Sequence, residues 1–182
     1  MVKGSNPLEA SLNQTAVGVA FVHQSADYLL NDYLPKIQRC LEQLTDEQIW
    51  WRPNSQTNSI GNLVLHLSGN ARQWIVCGLG DQPDHRNRSL EFEQSEIIPR
   101  THLLERLTGT LREVGEVLTK LPVEVLLERR EIQGREVEVL EAIFHVTEHF
   151  AMHTGQIIML TKILAQKDLG FYDFSTGKPF HH

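Results

Sequence analysis

The stretch "HVTEHFAMHTGQ", residues 145–156, sets His145, His149 and His153 four residues apart on what reads as one long helix. Four helical residues turn through roughly 400°, so neighbours in this series differ by about 40° around the axis and about 6 Å along it. Two imidazoles placed in that way can aim at one cation, each with a nitrogen about 2 Å from it. His145 and His153 are roughly 12 Å apart along the axis, too far to share an ion. One neighbouring pair is therefore expected to act together, 145 with 149 or 149 with 153. His149 belongs to both pairs, and spacing leaves the choice between them open.

Two imidazoles on one helix make a weak site, so a third ligand must come from elsewhere. His66, in "NLVLHLSGN", is the best candidate. Its flanks, Leu63, Val64, Leu65 and Leu67, predict burial, and an unpaired buried imidazole costs on the order of 1–3 kcal/mol. A metal ion, a backbone carbonyl or a water would each satisfy it.

"HVTEH" also matches the H-x-x-E-H pattern of inverted zinc proteases, with Glu148 as base. That chemistry needs a further acidic ligand downstream, and the residues after His149 include Asp168 and Asp173 but no glutamate. The match is set aside. His23, His85, His102, His181 and His182 share no spacing and read as solvated or loop residues.

These side chains need helices to hold them. Residues from about 13 to 44 carry apolar positions three and four apart, from Val17 and Phe21 to Leu41 and Leu44. Pro35 should kink or divide that helix, because it lacks a backbone donor. Thr45 with Gln48 forms a capping box for a short turn that Pro53 ends. Asn58 or Ser59 can cap a second helix running to about Cys77. "DQPDHRNRSLEFEQSEIIPR" has no helical period and reads as a long surface loop, of a kind that often borders a site. A third helix is expected over about Thr101–Lys120. Residues 122–137 could hold short extended pieces around Gly134. A fourth helix, about Glu138–Ala165, carries the histidine series. Residues 1–182 show no internal repeat and no domain-splitting linker, so one domain is expected, an all-α four-helix bundle with its site between facing helices.

Composition narrows the function classes. A formal net charge of −6 and a pI of about 5.8 argue against a phosphate-backbone binder, and no basic stripe is present. Cys40 and Cys77 read as reduced core thiols rather than a disulfide. The first residues lack the apolar run of a signal peptide, and no stretch is long enough to cross a bilayer. The expectation is a cytoplasmic protein with no nucleic-acid or membrane partner.

"WWRPN", "SIGNLVLHLSGNARQWI" and "HVTEHFAMHTGQIIMLTKIL" together resemble the DinB/YfiT-like superfamily of bacterial four-helix proteins, over about Trp50 to Phe174. The resemblance implies a bundle holding one divalent metal, often nickel or zinc, on three histidines, and frequently a homodimer. Carried onto this chain, the ligands are His66, His149 and His153, the last two standing just before Gly155-Gln156. His145 becomes a neighbour one turn away. Some relatives are thiol S-transferases using bacillithiol or mycothiol, some are labelled hydrolases, and an isomerase branch has Glu where this chain has His149. That last activity is therefore not expected.

Three neutral imidazoles leave an open coordination position, the mark of a reactive site. A thiol held there loses its proton and can attack a small electrophile. Water held there would instead support hydrolysis. A non-catalytic metal or small-molecule binder is the third reading. The ligands alone do not separate these outcomes, and no catalytic or cofactor-binding residue beyond them is assigned. Trp50, Trp51 and Arg52 could line the mouth of such a site or simply pack in the core. Gln156 could orient a ligand or water, or cap a buried carbonyl.

Overall fold

The computed structural model describes residues 7–173, 175, 176, 178 and 179. Helix α1 spans Pro7–Asp27, passes through a π-helical turn at Tyr28–Tyr33, and continues as α2, Leu34–Glu42. The expected break at Pro35 falls upstream of the proline. Pro35 has no N–H for the carbonyl four residues back, and the wider register places the Leu34 N–H on the Leu29 carbonyl instead. Val17, expected on the buried face, is 69% exposed, because α1 turns Gly18 and Val22 inward instead, Gly18 lying against Val123 and Leu126. From Leu29 onward the helix is buried at Ile37, Leu41 and Leu44 as expected.

Thr45 caps α3, Asp46–Trp50, with the anticipated capping box to Gln48. Ser59, not Asn58, caps α4, Ile60–Ala71, in a second box whose partner is Asn62. Every residue of α4 is buried, and its last turns, Arg72–Cys77, are π-helical. The segment expected to be an irregular surface loop contains α5, Arg88–Glu93, and this corrects the sequence reading. Its helix is a turn and a half long, too short to declare an apolar period.

Helix α6 spans Arg100–Lys120. Its first N–H is capped from a distance by Asp46 Oδ1 at 2.9 Å, while the Arg100 guanidinium donates to the carbonyls of Leu41, Glu42 and Leu44 at the end of α2. A cation there complements the helix terminus. Residues 122–137 contain a 3₁₀ turn, Val123–Val125, and a hairpin of β1, Arg129–Ile132, with β2, Arg135–Glu138. Gln133 and Gly134 both have positive φ, 56° and 68°, as a two-residue hairpin turn with the right twist requires. The hairpin buries Ile132 and Val137. Ile132 lies so close to Gly78 that a Cβ there would meet its Cδ1 at 2.5 Å.

Helix α7, Val139–Ala165, begins where Val139 and Leu140 donate to the carbonyls of Glu128 and Leu126. It ends at Gln166, in the left-handed conformation with φ 52°. A small antiparallel pair, β3 (Tyr172–Asp173) with β4 (Lys178–Pro179), follows. His181 and His182 lie outside the described residues.

The long helices form an all-α four-helix bundle: α4 packs against α6 and α7, α2 against α7, and α1 against both α6 and α7. Cys40 is a buried free thiol, its pKa pushed up by burial to about 11. Cys77 is only partly buried and donates to the Pro83 carbonyl. No helix among the described residues is long and apolar enough to cross a membrane.

Candidate metal centre

His66 projects from the middle of the wholly buried α4 and is 4% exposed. His149 and His153 project from facing turns of α7. The Nε2 atoms of His66 and His149 stand 2.9 Å apart. Ring centroids lie 4.9 Å apart for His66 and His149, 5.3 Å for His66 and His153, and 4.4 Å for His149 and His153, with steep interplanar angles. One nitrogen from each residue falls within 4.8 Å of the other two, so the three could hold a metal ion. Nitrogens about 2 Å from a common ion would lie about 3–3.5 Å from one another, so small ring rotations suffice.

The outer nitrogens of His66 and His153 are held. Glu91 Oε2 lies 2.9 Å from His66 Nδ1. Arg86 binds Glu91 through two nitrogens, at 2.7 Å to Oε1 and 2.9 Å to Oε2, and both side chains are buried. Burial pushes the Glu91 carboxyl up, but hydrogen bonds from Arg86 and His66 more than offset this and hold it below the usual carboxylate range. An ionised carboxylate only accepts, so His66 donates to it through Nδ1 and turns Nε2 toward His149. The 3.2 Å approach of Arg86 to the same Nδ1 is then a packing contact, since both groups are donors. His153 is fixed in the same sense: its Nδ1 lies 2.7 Å from Gln156 Oε1, leaving Nε2 toward the cluster. Carboxylate or carbonyl partners of this kind set the tautomer and raise ligand basicity.

Their surroundings hold His149 and His153 in the neutral form. Burial pulls the His149 pKa down to about 3, helped by His153, His66 and His145. Burial also lowers His153, against the opposing hydrogen bond with Gln156. Neutral rings are the state a metal requires of them.

His145 stands outside the group of three. Its Nε2 lies 3.2 Å from Asn70 Nδ2, and its ring packs on Trp74 at 4.2 Å and on His149 at 5.3 Å. His23, His85 and His102 are exposed and do not belong to the group.

Trp50 and Arg52 do not line a mouth. Trp50 is buried, its indole N–H donating to the Ile98 carbonyl, with its ring against Gly61. Arg52 is a strut that donates to Asn62 Oδ1, to the Phe92 carbonyl and to the Gln94 carbonyl. Trp51 is exposed. Asn62 completes the brace, its amide donating to the carbonyls of Glu91 and Gln94. The start of α4 thus holds α5, and α5 delivers Glu91. Sequence reasoning missed both Glu91 and Arg86. "RSLEFE" has no spacing that ties it to His66, and the pairing exists only through space.

Comparisons with known proteins agree with this architecture. A crystal structure described as the conserved protein of a locus from Enterococcus faecalis superposes with a TM-score of 0.65 at 16% identity, covering 79% of this chain and 97% of that one. A DinB-like protein from Bacillus cereus ATCC 10987 superposes with a TM-score of 0.61 at 17% identity, covering 79% and 90%. A search of curated proteins finds no match. The family model described as "Protein of unknown function (DUF1572)" matches residues 17–178. The chain belongs to that family, and its helical-bundle fold is similar to that of the DinB-like protein.

Proposed function

We propose that His66, His149 and His153 hold one divalent cation, zinc or nickel, and that the protein is a metal-dependent S-transferase. It would join a low-molecular-weight thiol of the bacillithiol or mycothiol type to small electrophiles, a detoxification chemistry. The observation that carries the metal assignment is the pair of Nε2 atoms 2.9 Å apart, backed on the outer side of His66 by a buried carboxylate.

The residues divide the work. The three histidines would present one nitrogen each to the ion, while Glu91 and Gln156 fix the rotation of two of the rings. Arg86 keeps Glu91 ionised, so the proton on His66 stays at Nδ1. The bound cation would supply Lewis acidity at an open coordination position, favouring the thiolate form of the thiol. Transfer makes a carbon–sulfur bond and breaks a carbon–chlorine bond or an epoxide carbon–oxygen bond. The thiol proton goes to solvent in the first case and to the opened oxygen in the second. In this reading the protein works in the cytoplasm as a homodimer.

Elemental analysis of untagged protein should find about one equivalent of divalent metal. A panel of thiols with chloro-aromatic and epoxide acceptors should then show turnover that a chelator abolishes. Metal-free protein from metal-replete cells would overturn the assignment. Stoichiometric metal with no transfer across the panel would leave a binding protein. Gel filtration with light scattering checks the dimer.

A further inference from the structure

A groove of about 590 Å³ lies between α7 and the turn that follows Pro53, and Gln156 links it to His153 of the cluster. Small-molecule sites are commonly of about 300–1,000 Å³. Its α7 wall carries Met152, Met159 and Leu160, and Leu63 of α4 also lines it. Between the methionines sits Gly155, where an added Cβ would meet nothing within 4 Å, so the helix surface is hollow there.

Three features give the groove its chemistry. No charged side chain lines it among the described residues, in a chain that is 22% charged. Its second wall is a braced turn: Thr57 Oγ1 donates to the Asn54 carbonyl at 3.0 Å, and Asn54 Oδ1 accepts from the Gln56 N–H at 2.9 Å. Gln156 lines the groove and also accepts from His153 Nδ1. A molecule seated in the groove therefore touches the residue that orients a candidate metal ligand.

We propose that this groove binds the uncharged, apolar body of the small molecule on which the neighbouring cluster acts. The proposal rests on the metal-site reading and adds the class of substrate: neutral, with an apolar body of moderate size. A charged body would lose hydration without gaining a partner. The two thioethers, flexible and polarisable, suit apolar bodies of varied shape.

The test uses the full chain and two dyes that share a fused-ring body, N-phenyl-1-naphthylamine (neutral) and 8-anilino-1-naphthalenesulfonate (anionic). The neutral dye should saturate one site and bind at least about tenfold more tightly than the sulfonate. Met159→Glu should weaken it by about tenfold or more. Phe144→Glu should leave it unchanged, since Phe144 is exposed on the same helix but outside the groove. Metal content and mass in solution are read on the same samples. Dye binding as expected without metal would sink the metal reading and leave the groove as a binding site. Metal with no dye binding, equal binding of the sulfonate, or equal weakening by Phe144→Glu would overturn the groove. Halving of the mass by Met159→Glu would also overturn it, by assigning this surface to a contact between copies.

Discussion

At the scale of single residues, the cluster tests two kinds of dependence. His149→Ala should abolish stoichiometric metal while the bundle stays folded, whereas His145→Ala should keep it. Elemental analysis with circular dichroism reads both, and loss of metal in His145→Ala with retention in His153→Ala would put the ion in the other helical register. Glu91 makes a subtler case, because it touches only the far nitrogen of His66. Glu91→Gln keeps the size but removes the charge that pins the Nδ1 proton. Loss of such an outer partner typically lowers metal affinity 10–100-fold. Competition with a chromogenic chelator should show a fall in that range, with nearly unchanged helicity. An unchanged affinity would mean that Glu91 serves only to bury Arg86.

Among elements, α4 is the organiser. Its capping box joins Ser59 to Asn62, and Asn62 in turn holds the carbonyls of α5. Ser59→Ala should cost about 1–2 kcal/mol of stability, as loss of a cap usually does, measured by urea unfolding. Gly69→Ala probes the packing of α5 on α4 directly. Alanine ordinarily favours a helix over glycine by about 1 kcal/mol. Here its Cβ would stand 2.0 Å from Glu91 Oε1 and 2.9 Å from Arg86 Nε, so the ion pair must move. The expected result is a weaker metal site with the helices intact. If metal affinity holds, the pair can shift without disturbing His66. The long helices were legible in the sequence because their apolar residues recur three and four apart, and His66 was legible because it breaks an otherwise apolar run. The histidine spacing marked His149 but not its partner; that choice came from resemblance. Helix α5 and its carboxylate were not legible. Glu91 lies 25 residues from His66, and nothing local records their contact. The hairpin turn was only half visible, since Gln133 adopts positive φ in a position where Asn or Asp is the usual signal.

Taken as a whole, the molecule gathers buried and half-buried imidazoles where α4 meets α7, and this ties its stability to pH. In the metal-free fold, burial and its neighbours hold His149 down to about 3, and burial also lowers His145 and His153. In the unfolded chain a histidine titrates near 6.5. Between those values the unfolded state takes up protons that the folded state refuses, so the contribution of these groups is fully present above about pH 6.5 and is lost progressively as pH falls. The loss continues until the folded form of His149 itself protonates. Metal-free protein should therefore melt at progressively lower temperature from neutral pH toward pH 4, and His149→Gln should flatten that slope. Bound metal should raise the melting temperature at neutral pH, because it binds the folded state alone, and should lose that effect as protons compete for the same nitrogens. A thermal scan series with and without chelator separates the two contributions. If the metal-free protein and the His149→Gln variant show the same slope, the His149 ring is solvated in the fold and the cluster is looser than its 2.9 Å approach to His66 implies.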